Sequence, residues 1–295
     1  KRDFGHLNIV PILADVQDAA SLRRTFQVYK PQIVFHAAAY KHVPMLELQP
    51  WKAVENNIIG TQCLLDVADE FNLERFVLVS TDKAVKPGNV MGASKRVAEM
   101  ITLNRNSCGL SNARMIAVRF GNVVGSVGSV APLFKKQIEN GGPVTVTHPD
   151  VTRYFMTIRE ASQLILQSAA MGQGGEIYIL DMGTPVKIID MARDLIRLSG
   201  LEPDVDIKIE FIGLRPGEKL HEELITDDEN AEPTRHSKIL MLRGGSCNLD
   251  LLNGHINELA ALARIQDGNH IRSKLHEIVS DYAPRDFNAI YADVA

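Results

Sequence analysis

Short apolar runs alternate with longer amphipathic stretches through the first half of this chain. Asn8-Ile9-Val10-Pro11-Ile12-Leu13 reads as a strand ending at Ala14-Asp15-Val16. Ser21 to Tyr29 has helical spacing, and Gln32-Ile33-Val34-Phe35-His36 is the next strand. Trp51 to Phe71 repeats apolar residues at helical intervals, broken only weakly by Gly60. A strand at Arg75-Phe76-Val77-Leu78-Val79, a helix from Val90 to about Asn106 and a strand from Ala113 to Phe120 continue the series. Strands and helices alternating at these lengths predict an α/β class with a doubly wound parallel sheet.

Beyond Gly121 the pattern loosens into Gly/Pro-rich segments such as Gly125 to Gly128 and Gly141-Gly142-Pro143. Helices over Arg159 to Met171 and Ile188 to Ser199 flank one further strand, Glu176-Ile177-Tyr178-Ile179-Leu180. The expected division is a larger sheet domain over residues 1–128 and a smaller lid domain over 129–295, with the strand near 176–180 returning to the main sheet. Asp227 to Ser237 is polar and reads as a surface loop.

One expected piece is missing. A dinucleotide-binding sheet needs a first strand running into a Gly-rich turn, whose backbone N–H groups and helix N-terminus hold the pyrophosphate. No G-x-G-x-x-G stands in the chain, and Gly121-Asn122-Val123-Val124-Gly125 has the wrong spacing. In the strand order 3-2-1-4-5-6, the absent first two strands would sit between those at Asn8 and Gln32. The chain starts at Lys1 without Met, so the expectation is that these strands and their helices belong to the native protein and precede this chain.

Composition narrows the class. A 295-residue chain that is 45% hydrophobic and 23% charged can bury one large core or two coupled ones. A net charge of −4 argues against a nucleic-acid surface, which needs an excess of clustered Lys and Arg. Cys63, Cys108 and Cys247 are odd in number and far apart, as in a reducing compartment without a disulfide framework. No apolar run approaches membrane-spanning length. The absence of C-x-x-C, H-E-x-x-H, a Walker loop and G-x-S-x-G excludes several chemistries, and no metal is expected. Ser80-x-x-Lys83 fits an acyl-enzyme pattern whose other two elements, S-D-N and K-T-G, do not occur.

The candidate chemistry sits at predicted strand ends. Ser80-Thr81-Asp82-Lys83 closes the strand at Arg75, and Met91-Gly92-Ala93-Ser94-Lys95 opens the following helix, with Met91 and Lys95 one turn apart on one face. An adjacent acid and amine serve as proton donor and acceptor when burial or a second cation shifts them, and Lys95 supplies that cation. Nicotinamide-dependent sugar sites normally hold Tyr where Met91 stands, and no Tyr-x-x-x-Lys occurs here. Met91 has no proton to give or take. Asp15-Val16 suits either an adenine contact or a helix N-cap. Ala37, Ala38 and Ala39 suit close backbone approach by a dinucleotide, or simply a tight turn. Lys41 is placed to touch a phosphate or sugar, while His42 reads as a packed loop histidine. Asn122 is placed to orient a ligand, and Arg153 and Arg215 suit a diphosphate through their guanidinium forks.

Five stretches together carry a specific likeness: FHAAAYKHVPMLE, VLVSTDKAVKPGNVMGASKR, VRFGNVVGSVGSVAPLF, TRYFMTI and RPGEKLHEEL. The chain resembles the catalytic domain of configuration-retaining UDP-N-acetylglucosamine 4,6-dehydratases of bacterial polysaccharide biosynthesis, in the extended short-chain dehydrogenase/reductase superfamily. Met91 resembles the large, membrane-anchored branch. The resemblance implies a Rossmann domain over 1–128 that binds NAD, and a nucleotide-sugar domain over 129–295. It implies a UDP-sugar substrate, a homo-oligomer and a cytoplasmic catalytic domain, with membrane helices only in a missing N-terminal region. The implied reaction oxidises sugar C4, eliminates water across C5 and C6, and reduces C6. Lys83 then takes the C5 proton, Asp82 protonates the departing hydroxyl, Thr81 holds the C4 oxygen, Lys95 binds the nicotinamide ribose, and Met91 shapes the space left by tyrosine. Asp15, Val16, Ala37, Ala38, Ala39 and Lys95 would hold NAD; Lys41, Asn122, Arg153, Arg215 and Glu218 would hold the substrate. Runner-up readings are a nucleotide-sugar 4-epimerase and a non-catalytic nucleotide-sugar binder.

Overall fold

Apolar residues at successive positions of a strand are stable only when both faces of its sheet are covered. The computed structural model, which describes residues 7–283 apart from 108, 110, 127, 227, 228, 246 and 247, shows that arrangement. Helix α1 (Ala19–Tyr29) feeds strand β1 (Ile33–His36). Helices α2 (Val43–Leu48) and α3 (Pro50–Ala53), a π-helical segment (Val54–Ile59) and α4 (Gly60–Glu70) follow. Strand β2 (Arg75–Val79), helix α5 (Val90–Ser107) and strand β3 (Arg114–Arg119) complete the regular alternation.

Shorter elements come next: β4 (Asn122–Val123), α6 (Val130–Glu139), β5 (Val144–Val146), β6 (Thr152–Arg153) and β7 (Phe155–Met156). Helix α7 (Ile158–Met171) and strand β8 (Glu176–Leu180) precede β9 (Val186–Lys187), α8 (Ile188–Leu198) and β10 (Ile209–Phe211). The series closes with β11 (Glu232–Pro233), β12 (Ile239–Arg243), α9 (Leu249–Arg264) and α10 (Gly268–Ile278).

The main sheet runs β1-β2-β3-β8-β12-β11, parallel from β1 to β8 and antiparallel beyond. Side chains alternate across it. Phe76, Leu78, Met115, Ala117, Ile177 and Ile179 enter one core with helices α4, α5, α9 and α10. Val77, Ile116, Val118, Tyr178 and Leu180 enter the opposite core with α7. A third, smaller core gathers Phe134, Ile138, Val144, Val146, Ile188, Ile196 and Ile207 from α6, β5, α8 and the approach to β10.

Three sequence expectations change. The strand expected at Asn8 to Leu13 is irregular, and Ile9, Val10, Ile12 and Leu13 are exposed. A strand persists only beside a partner that satisfies its N–H and C=O groups, and β1 is the last strand of the sheet on that side. The helix from Trp51 is continuous, but its middle widens into the π segment. Gly60 is there for space: a Cβ would stand 2.7 Å from Val16 Cγ2. The loop expected over Asp227 to Ser237 contains β11, which pairs Glu232 and Pro233 with Met241 and Leu240; residues 227 and 228 lie outside the described residues. Cys63 is a half-buried free thiol, whereas Cys108 and Cys247 lie outside the described residues. No helix among the described residues is long and apolar enough to cross a membrane.

Candidate active site

The parallel sheet delivers its strand ends to one edge, and β2 ends there in a group of polar side chains. Thr81 caps a single 3-10 turn, Asp82–Ala84; its hydroxyl accepts from Lys83 N at 3.3 Å and donates to Asp82 Oδ1 at 2.8 Å. The Lys83 amine donates to the same Oδ1 at 3.0 Å. Asp82 is wholly buried, and its Oδ2 has no donor among the described residues. Two glycines make this geometry possible. A Cβ on Gly121 would lie 3.0 Å from Asp82 Oδ2, and one on Gly92 would lie 2.1 Å from the Lys83 carbonyl oxygen. Helix α5 therefore rests its first turn directly on the Lys83 backbone.

The start of α5 is held from two sides. Asn89 Oδ1 accepts from Gly92 N at 2.8 Å, and Glu47 Oε1 accepts from Val90 N at 2.6 Å. These bonds satisfy donors that a helix N-terminus leaves open. Asn89 also donates to the Gly217 carbonyl at 2.9 Å, tying α5 to the turn that carries Arg215 and Glu218.

A cleft of about 490 Å³ opens above this floor. Ala37, Ala39 and Lys41 line it from the loop after β1; Thr81 and Lys83 from the loop after β2; Met91 and Lys95 from α5. Asn122, Arg153, Arg215 and Glu218 line the facing wall. Asp82 sits just beneath. Asp15, Val16 and Ala38 line a second cleft of about 520 Å³, and Tyr40 borders both. Asp15 accepts from Gln17 N at 2.9 Å and does not cap α1; Asp18 does, accepting from Ala20 N and Ser21 N.

The two arginines differ. Arg153 is buried and donates to Glu218 Oε1 at 2.9 Å and to the carbonyls of Thr152 and Leu220, so its fork already has acceptors. Arg215 is exposed, and no side-chain ion pair holds it among the described residues.

The two lysines differ as well. Burial alone would lower the Lys83 pKa, but the carboxylates of Asp82 and Glu222 more than reverse it, and the net shift is upward. Lys95 is 4% exposed and donates no hydrogen bond among the described residues. Burial lowers its pKa to about 8, against the pull of Glu99. Glu99 is itself held at about 2 despite its burial, chiefly by Arg119, which it meets at 2.9 Å through both oxygens. Ser80 donates to the same Glu99 at 2.6 Å.

Four contributing residues were not singled out from sequence. Asn57, in the π segment, accepts from Tyr40 N at 2.8 Å and donates to Tyr40 O at 3.0 Å and Ser94 Oγ at 2.9 Å, which fixes the alanine loop against α5. Glu99 and Arg119 brace α5 on β3. Glu222 lines the cleft 3.4 Å from Lys83 Nζ. Asn57, Glu99 and Arg119 had a legible signal, polar residues on otherwise apolar faces; Glu222 had none beyond its place in RPGEKLHEEL.

Residues 2–244 match the family described as polysaccharide biosynthesis protein. The chain belongs to that family. It is 56% identical over 223 residues to the capsular polysaccharide biosynthesis protein CapD of Staphylococcus aureus, covering 76% of this chain but 37% of that protein. The chain thus spans little more than a third of that relative's length. A UDP-N-acetylglucosamine 4,6-dehydratase (inverting) of Campylobacter jejuni is 36% identical over 74% of this chain and 63% of its own. A UDP-glucose 4-epimerase of Rickettsia akari is 36% identical over 68% and 57%. Among solved structures, Pen from Bacillus thuringiensis superposes with a TM-score of 0.74 at 32% identity, covering 87% of this chain and 83% of that one. The NAD complex of Thermus thermophilus UDP-glucose 4-epimerase shares the fold, with a TM-score of 0.62 at 20% identity over 72% and 75%. The fold is Rossmann-like, as the strand pattern predicts.

The residues present fit a dinucleotide in two places. Lys95, largely buried yet lining the cleft beside small Ala37 and Ala39, suits a ribose and its attached ring, and the cleft at Asp15, Val16 and Ala38 suits a second ring.

Proposed function

We propose that this chain is the catalytic part of an NAD-dependent nucleotide-sugar enzyme of polysaccharide biosynthesis, and that its reaction is the dehydration of UDP-N-acetylglucosamine to UDP-2-acetamido-2,6-dideoxy-hexos-4-ulose. One observation carries the reading: a buried acid and an amine, Asp82 and Lys83, stand 3.0 Å apart on the floor of a cleft that also holds Lys95 and Met91. A 4-epimerase needs C4 oxidation only, whereas elimination needs an acid and a base side by side.

NAD, when bound, supplies the hydride acceptor and donor; the protein supplies position and protons. Lys95 holds the nicotinamide ribose, and Thr81 holds the sugar C4 oxygen. Lys83, its pKa raised by neighbouring carboxylates, holds its proton at rest. Once Lys83 has lost its proton the amine is neutral, and the C4 hydroxyl proton, passed through the Thr81 hydroxyl that stands 2.8 Å from Asp82 Oδ1, makes Asp82 a carboxylic acid. The amine takes the C5 proton, the C5–H electron pair becomes the C5–C6 double bond, and the C6 hydroxyl leaves as water with the proton of Asp82; as C6 is reduced, Lys83 returns its proton to C5 and both side chains regain their starting states. Asp82 Oδ2 has no donor among the described residues, so it is the oxygen left to carry that proton. Arg215 takes the diphosphate; Arg153 and Glu218 hold the wall behind it, while Asn122 and Lys41 flank the sugar. Retention at C5 follows in this proposal from one amine making both transfers, since Lys83 returns the proton to the face from which it took it.

The test is mass spectrometry of UDP-N-acetylglucosamine incubated with the protein and NAD. Loss of one water supports dehydration, and NMR at C5 reads retention or inversion. An unchanged mass with inversion at C4 establishes epimerisation instead.

A further inference from the structure

Glu222 is the one carboxylate in the cleft that the reaction above leaves without a task. It comes from an irregular stretch of the second half, yet its side chain is only 4% exposed. Its Oε1 lies 3.4 Å from Lys83 Nζ and 3.9 Å from Arg153 Nε. Its Oε2 is buried and has no donor among the described residues. A carboxylate is not buried beside a cleft at this cost unless a cation holds it there.

We propose that Glu222 is a positioning residue that holds the Lys83 amine together with Asp82 and makes it a stronger base. This rests on the dehydratase reading. When Lys83 takes the C5 proton it becomes an ammonium ion, and a fixed carboxylate 3.4 Å away stabilises the charge that develops there. The groups facing Lys83 are few. Asp82 stands on its own turn, Glu222 and Arg153 come from the second half, and Lys95 shares the cleft from α5. Arg153 weakens the effect, and its bond to Glu218 tempers that repulsion. The upward shift of Lys83, owed to Asp82 first and Glu222 second once burial is overcome, agrees with this geometry.

The experiment is competitive acetylation of the folded protein across pH, with Lys83 and Lys95 peptides quantified by mass spectrometry in wild type and Glu222→Gln. The half-labelling pH of Lys83 should fall by about one unit in the variant, while that of Lys95 stays in place. In turnover, the acid limb of the pH–rate profile should move the same way, and the plateau kcat should drop by about 10-fold because the base is weaker. An unmoved Lys83 half-labelling pH in a variant that melts like wild type would overturn the proposal. Should Glu222→Gln fail to fold, Glu222→Asp must shift Lys83 in the same direction by less, and no shift there overturns it equally. The labelling needs no turnover. A wild-type protein that releases no water, yet shows the labelling shift, sinks the dehydratase reading and leaves the Glu222–Lys83 contact standing.

Discussion

Two lysines share one cleft and are driven in opposite directions by their neighbours. Lys83 has Asp82 and Glu222 to hold its proton, whereas Lys95 has burial against it and only Glu99 in support. A base that must be neutral loses function as pH falls, so the sign is fixed: activity should rise from acid to alkaline pH through the Lys83 ionisation. A flat profile, with the chemical step shown to limit the rate, would remove Lys83 from that role. Asp82→Asn keeps the shape of the side chain and takes away the transferable proton. Elimination in that variant should fall by at least about 100-fold with an unchanged circular dichroism spectrum; wild-type turnover would sink the assignment. These residues were legible because they are consecutive at a strand end, where position alone places them at the ligand edge of a parallel sheet. Glu222 was not. It sits in a stretch without period, where nothing says whether Glu222 or Glu223 points inward, and only the fold answers: Glu222 is buried, Glu223 exposed.

Helix α5 is the element on which the site depends, and it is braced from both ends of its first three turns. Its buried Glu99 pairs with Arg119 of β3 and accepts from Ser80. The folded-state pKa of Glu99, about 2, lies below its ordinary 4.5. Its stabilisation is therefore complete above that ordinary value and is lost as pH falls toward 2. Glu99→Gln should cost about 3 kcal/mol at neutral pH, by leaving Arg119 underpaired, and should flatten the acid side of a melting-temperature profile. An unchanged melting temperature would show that the pair braces nothing. Periodicity found this helix and its partner strands to within a residue or two, because both sheet faces are apolar and helices alternate with strands. The same reading placed a strand at Asn8 to Leu13 that did not form, since apolar content marks a segment able to pair but not the neighbour it pairs with.

At the scale of the molecule, the cleft lies between the strand ends of the main sheet and the segments around the small third core. Side chains reach across it. Asn89 meets Gly217, Lys219 meets the Val85 carbonyl at 3.0 Å, and Lys83 meets Glu222. Arg215 stands on the far wall without an ion pair among the described residues, which fits it to bind an anion rather than to hold the fold. Arg215→Ala should raise KM for the nucleotide sugar by roughly 10-fold with little change in kcat, as loss of a charge-assisted hydrogen bond does. A fall in kcat at constant KM would instead place Arg215 at the reacting sugar. The sequence showed where regular alternation ends, near Gly121, but it could not show which loops meet, because contacts across a cleft leave no local pattern.

The close approach of Gly92 to the Lys83 carbonyl bears on how this site could change over generations. Every side chain is barred at Gly92, since even a methyl would collide with backbone that has no room to yield. The neighbouring Met91 is buried by side chains, which can repack. A saturation library across Asn89 to Lys95 should therefore show near-lethality at Gly92 next to graded tolerance at Met91. Drift toward another sugar or another stereochemical course has to pass through the residue beside the glycine, never through the glycine itself.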